Sequence, residues 1–292
     1  MNNINPWGDV VLPSRPEYRL SGMLLTFFLA LLNAGVYIWQ VNYASPLTDQ
    51  IYNMLLAGGS VYQLSLTGDW WRYITSILLH SDPFHLGVNL IALLVFGINC
   101  EALTGKMRML FIYLFTGISA SFASALWQAA QNDMSPLSGI PVTVGVGASG
   151  AIMGLAGATV MYLIRARKDP SVSVADSLRY KNLLITMIVL IVLSVLSAVP
   201  DDEEPVTDNV AHFSGLICGA VLGWLYSAAS GVRNRKMDRR SWLISAAATG
   251  LLILLLFTCS SSREQQLLFE RETILEDIAA QADALPSGQK NN

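Results

Sequence analysis

The sequence predicts an all-α fold, a polytopic membrane helix bundle, on three observations. The chain is 53% hydrophobic and 13% charged with a mean hydropathy of +0.46, far from the composition of a water-soluble domain. Its apolar residues gather into runs of about 20, enough to cross a hydrocarbon core of about 30 Å. Its lysines and arginines fall between alternate runs. Seven candidate spans follow, at about 20–41, 84–100, 109–130, 149–164, 182–200, 209–228 and 241–260.

The first run follows a polar segment that carries Pro6, Pro13 and Pro16, the wrong placement for a cleaved signal peptide, so it is expected to be retained. Next comes LAGGSVYQLSLTGDWWRY, a mixture of glycines and aromatics within 42–70 and just beyond. It is too apolar for a free aqueous loop and too short to span twice, which predicts a segment lying in the membrane interface. The second run opens with His85 and Asn89. The fourth opens with VGVGASGAIMG, where Ser149 stands among glycines. The fifth ends ahead of the acidic loop holding Asp201, Asp202, Glu203, Glu204 and Asp208, and the sixth opens with His212. After the seventh, SREQQLLFERETILEDIAAQADAL reads as a solvated amphipathic helix before a polar tail.

Orientation comes from the positive-inside rule. Arg15 and Arg19 precede the first span, and Lys106 and Arg108 separate the second from the third. Arg165, Arg167, Lys168, Arg179 and Lys181 lie between the fourth and fifth, and Arg233, Arg235, Lys236, Arg239 and Arg240 between the sixth and seventh. These are fourteen of the eighteen basic residues, so the N-terminus is expected in the cytoplasm and the C-terminus outside. Lipid headgroups suffice as their partner, and no nucleic acid is expected. Cys100, Cys218 and Cys259 are odd in number, lie in or at the ends of apolar runs and have no metal-ligand spacing, which makes them packing residues.

The chemistry is sought at the three histidines, His80, His85 and His212, because an ionisable side chain at membrane depth is costly and marks a site by default. The second, fourth and sixth spans all run inward, so His85 and Asn89, Ser149, and His212 share one outer level. His85 and Asn89 are four apart and share a helix face. With Arg165 at the headgroups, Ser149 lies sixteen residues higher, about 24 Å, below the outer edge of the core but within reach of water.

Small residues at four-residue intervals let membrane helices approach closely. The fourth span has Gly150, Gly154 and Ala158; the sixth has Ala211, Gly215, Gly219 and Gly223. A serine at the head of one smooth face and a histidine at the head of the other form a nucleophile and base.

These residues resemble the rhomboid family of intramembrane serine proteases. The resemblance rests on GASG at 147–150, HLGVN at 85–89 and AHFSGLICG at 211–219, with His80 and the Trp71-Arg72 pair ahead of the second span. It covers about residues 22–228. It implies a catalytic Ser149–His212 dyad and an oxyanion hole built from the Ser149 amide with His85 and Asn89. Gly147, Gly150, Met153, Gly215, Gly219, His80, Trp71 and Arg72 take supporting roles, and no metal or cofactor is needed. Its substrates are single-span or other transmembrane proteins. The segments read as a cytoplasmic tail over 1–20, a six-helix rhomboid-like core over 21–228 and a basic loop over 229–240. A seventh C-terminal transmembrane helix over 241–260 and an outer tail over 261–292 complete the bacterial six-plus-one arrangement, in an inner membrane. Many relatives carry an aromatic residue where this chain has Met153, one turn after the nucleophile; a thioether packs against an imidazole edge as well. Asp208 is expected to cap or be solvated rather than to complete a triad.

Other classes fit less well. A channel or transporter wants intramembrane charge along a path, and the spans are nearly free of it. A zinc protease wants an HExxH-like helix, and none is present. A non-catalytic relative would have lost Ser149 or His212, and both are here.

Overall fold

A computed structural model describes residues 23–43, 49–131, 142–169, 174–196, 208–232, 234–259 and 264–283. They form eleven helices: α1 (Leu24–Tyr43), α2 (Gln50–Leu56), α3 (Tyr62–Ser65), α4 (Arg72–Thr75), α5 (Pro83–Thr104), α6 (Lys106–Gln131), α7 (Ser149–Lys168), α8 (Val174–Leu196), α9 (Asn209–Ser230), α10 (Arg239–Cys259) and α11 (Glu264–Asp283). Among the described residues the only β pairing is an isolated bridge between Ser60 and Gly145. Six helices, α1, α5, α6, α7, α9 and α10, are long and apolar enough to cross a membrane. The span predicted at 182–200 is α8, whose described apolar part runs over Tyr180–Val189. The acidic stretch 201–207 and both chain ends lie outside the described residues.

Local chemistry sets the helix ends. α5 starts where Asp82 accepts the His85 amide at 2.8 Å and Pro83 occupies the first helical turn, where its missing N–H costs nothing. Asp208 caps α9 in the same way, accepting the Ala211 amide at 2.9 Å and a hydrogen bond from Ser124, so its role is capping. At the start of α1 the acceptor comes from another helix. Glu101 of α5 does it instead, accepting the amides of Leu25 and Thr26 at 3.2 and 2.9 Å and the Thr26 hydroxyl at 2.8 Å. Orphan helix amides at membrane depth are too expensive to leave unpaired, and this accounts for a carboxylate buried among apolar helices.

α7 is the centre of the bundle, packed against α5, α6, α8 and α9. It meets α9 backbone to backbone. A Cβ on Gly215 would lie 2.1 Å from the Gly150 carbonyl oxygen, one on Gly219 1.9 Å from that of Gly154, and one on Gly223 2.6 Å from the Ala158 Cα. The numbers rise together, so the helices are parallel, and the small-residue faces read from the sequence are the faces in contact. Gly157 adds a second row, its Cβ position being 2.2 Å from the Leu216 carbonyl oxygen.

α10 is built the other way out. Its buried residues are Ser241, Ser245 and Leu252, while Leu243, Ile253, Leu254 and Phe257 are exposed and face the surroundings as lipid-facing residues do. The two serines bond inward, Ser245 to the Tyr226 hydroxyl at 2.6 Å and Ser241 to Arg108 at 2.9 Å. In lipid, apolar contact gives little preference for helix over acyl chain, so such polar contacts carry the docking.

Two expectations are corrected. Arg108 was expected at the headgroups with the other basic loop residues; it is fully buried, bonded to Ser241, Tyr162 and the Asn234 carbonyl, 3.5 Å from Asp238 and stacked over Tyr226. Its long apolar stem and forked head suit a junction of four segments, which a count of charges cannot distinguish from a surface position. The C-terminal amphipathic segment, expected to be solvated, is α11, and its Leu267 and Ile274 are buried against α3 and its surroundings. These two apolar residues, seven apart, lie on one docking face of the helix, and Ile278 packs beside Ile274.

Candidate active site

Ser149 is the first residue of α7 and is half-buried. Two features hold the backbone before it. Gly147 has φ +123°, a conformation L side chains rarely adopt. A Cβ there would also lie 2.8 Å from both Cε1 and Nε2 of His85, and 4.0 Å from Asn89 Nδ2. Glycine is therefore required twice over, and its absence of a side chain lets His85 and Asn89 approach the backbone that leads to Ser149. The Gly147 amide donates to the Ser76 carbonyl at 2.9 Å, and Gly145 pairs with Ser60 in both directions at 3.0 and 2.7 Å.

His212 lies in the first turn of α9 and is 6% exposed. The Cβ position of Gly150 is 3.6 Å from the Ala211 carbonyl oxygen and 4.0 Å from its Cβ. Ser149 precedes one member of that contact and His212 follows the other, so both stand at the heads of two parallel helices at one level. Ser149 and His212 share no hydrogen bond, and the buried His212 Nδ1 has no hydrogen-bond partner among the described residues. Met153 is buried one turn below Ser149.

His85 is oriented from behind. Its Nδ1 lies 3.0 Å from Ser81 Oγ, which also bonds to Asp82 at 2.7 Å. That leaves Nε2 facing Gly147. Asn89 is 5% exposed and gives one amide proton to the His85 carbonyl at 2.9 Å, leaving the other free for a ligand. His80 is fully buried, its ring edge-on to His85 with centroids 5.2 Å apart, and Gln40 clamps its backbone from both sides. Burial, and then the neighbouring His85, push the His80 imidazole down to about 4, so it is neutral at physiological pH.

Trp71 and Arg72 lie farther off, in the loop of short helices between α1 and α5. Arg72 stacks over Trp71 at 4.6 Å and donates to the Leu55 and Gly59 carbonyls at 2.7 and 3.0 Å. They hold that loop together and do not touch Ser149. A cavity of about 50 Å³ opens beside Ser149, lined among others by Ser76, Ser121, Ser124, Gln128 and Asp208. That exceeds the roughly 10–15 Å³ needed to hold one water.

The sequence reading missed Ser81, Asp82, Glu101 and Arg108. Asp82-Pro83 was a legible helix start, and Glu101 stands one residue past the predicted span over 84–100. Arg108 carried no such signal.

The architecture defines an integral, multi-pass membrane protein whose polar groups gather between the helix heads. A Rhomboid domain model matches residues 67–229. The chain is 39% identical over 276 residues to rhomboid protease AarA of Providencia stuartii, covering 93% of this chain and 95% of that one. It is 31% identical over 210 residues to rhomboid protease GluP of Bacillus subtilis, 70% of this chain and 36% of GluP. It is 33% identical over 158 residues to RHOMBOID-like protein 5 of Arabidopsis thaliana, 54% of this chain and 44% of that one. The chain belongs to the rhomboid family, and it is a rhomboid-type intramembrane serine protease.

Proposed function

We propose that this protease cuts transmembrane or juxtamembrane segments of membrane proteins near the outer face of a bacterial inner membrane, using Ser149 and His212 as a dyad. His212 takes the Ser149 proton as Oγ attacks the scissile carbonyl carbon. The resulting oxyanion is held by the Ser149 amide and by the side chains of His85 and Asn89. When the C–N bond breaks, His212 returns the proton to the leaving amine. Water from the polar cavity, deprotonated by His212, then attacks the acyl carbon; as the bond to Ser149 Oγ breaks, His212 returns that proton to Oγ, freeing the new carboxylic acid product and Ser149. No metal or cofactor has a part in this scheme.

The observation that supports it most is the Gly150–Ala211 contact, because it brings the heads of α7 and α9 within van der Waals reach, with Ser149 and His212 on either side. Gly147 supports the oxyanion hole, since without a side chain it lets His85 Nε2 come close to the backbone before Ser149. For Nε2 to donate, neutral His85 accepts a hydrogen bond at Nδ1, which requires the Ser81 hydroxyl, here given to Asp82, to turn toward the ring. In this reading 21–228 is the six-helix protease core, 1–20 and the basic loop 229–240 are cytoplasmic, 241–260 is the seventh span, and 261–292 is outside.

The test is co-expression with tagged single-span membrane proteins. Wild type should release N-terminal fragments, and Ser149→Ala and His212→Ala should each abolish release, the double variant being no worse because the two act as one unit. A fluorophosphonate should label Ser149 in the wild type alone. Robust cleavage by Ser149→Ala would end the dyad reading.

A further inference from the structure

Helix α11 sets residues 267, 271 and 274 on one face. Leu267 packs among Tyr62, Leu66 and Phe122, and Ile274 among Leu55, Val61 and Leu64. Between them Arg271 donates to Asp69 Oδ1 at 2.7 Å, to the Thr67 hydroxyl at 3.1 Å and to the Leu64 carbonyl at 3.3 Å. The other Asp69 oxygen accepts Arg72 Nε at 3.0 Å. Burial works to raise the Asp69 carboxyl, yet the hydrogen bonds from Arg271 and Arg72 hold it below the usual carboxylate range, so it is ionised and binds both cations at neutral pH. Arg72 in turn holds the Leu55 and Gly59 carbonyls, and the next residue, Ser60, is bridged to Gly145. Two residues beyond Gly145 is Gly147, and two beyond that is Ser149.

We propose that Arg271 is a positioning residue for the reaction at Ser149, acting through Asp69, Arg72 and the Ser60–Gly145 bridge on the segment that carries the nucleophile. The proposal rests on Ser149 being the nucleophile. Among the described residues, segment 142–148 has backbone bonds to neighbouring loops at Ser60 and Ser76 alone, so it takes its rigidity from the loop that α11 braces. An oxyanion site must hold its geometry within about 0.5 Å. A charge-assisted, bidentate-capable arginine is suited to that bracing, because its planar fork is stiffer than a lysine's point charge.

The experiment measures cleavage of a tagged single-span substrate in liposomes by full-length protein, with kcat expressed per site titrated by a fluorophosphonate. Arg271→Ala should lower kcat about tenfold with KM unchanged, less than the roughly hundredfold of a full 1 Å misplacement. Arg271→Lys should recover part of the loss, and Asp69→Asn combined with Arg271→Ala should be no worse than Asp69→Asn alone. A purely structural contact would lower melting temperature and the number of titratable sites and leave kcat per site at the wild-type value; that result overturns the proposal. So does a rise in kcat, which would make the contact inhibitory. Failure of the nucleophile assignment is separate, since the wild type would then not take the probe at Ser149.

Discussion

Gly219 of α9 lies so close to Gly154 of α7 that a Cβ on it would sit 1.9 Å from the Gly154 carbonyl oxygen. This contact is one of three successive steps, Gly150–Gly215, Gly154–Gly219 and Ala158–Gly223, by which two membrane helices run parallel with their backbones touching. The polar heads of these helices carry Ser149 and His212, so the packing of the smooth faces sets the alignment of the candidate site.

Gly219→Ala should therefore be destabilising by about 1–3 kcal/mol, the cost of overpacking a tight contact, and should take activity down with it. Gly35→Ala and Gly250→Ala, where nothing lies within 4 Å of the added carbon, should leave both unchanged. Thermal unfolding in detergent beside a cleavage assay makes the comparison; an unchanged Gly219→Ala would mean that α7 and α9 can separate without loss.

Asn89→Ala should lose about 10²–10³ in kcat with little change in substrate affinity, the usual cost of one oxyanion donor. His85→Ala should lose at least as much, and Ser81→Ala a part of it, because Ser81 Oγ sets the His85 ring by its contact at Nδ1. Melting temperatures near wild type with reduced kcat support these roles. Loss of activity only in proportion to lost folded protein would reduce both residues to helix packing.

His80 contributes an acid sensitivity whose sign is fixed by its burial. Its imidazole is held at about 4 against an ordinary 6.5, so the unfolded chain takes up the proton more readily than the folded one. The stability from keeping it neutral is present above about pH 6.5 and is lost as pH falls toward 4. His80→Gln should show a shallower fall in melting temperature between pH 7 and 4.5 than the wild type does. Identical slopes would show that His80 ionises as easily folded as unfolded.

The orientation can be read with single cysteines in a background lacking Cys100, Cys218 and Cys259. Cysteines at Arg167 and Lys236, both exposed, should be shielded from an impermeant maleimide in intact cells, and one at the exposed Gln265 of α11 should be labelled. The reverse pattern would put Ser149 at the cytoplasmic side and move the cleavage with it.

Composition and periodicity alone determined that this chain is a helical membrane protein, because about 20 consecutive apolar residues have no other stable home. Residue spacing alone also marked Ser149, His85, Asn89 and His212 and the glycine faces of α7 and α9, since a four-residue interval fixes a helix face wherever the helix goes. Tertiary structure decided the partners of isolated polar residues. Glu101 serves the start of a helix 75 positions away. Arg108 sits at the junction of α7, α9, α10 and the loop before α10, and Arg271 reaches back 202 positions to Asp69. A charge or amide in the sequence states what it needs, a counter-charge or a hydrogen bond, but distance along the chain carries no information about which group supplies it; that is settled only when packing brings the two together and excludes water between them.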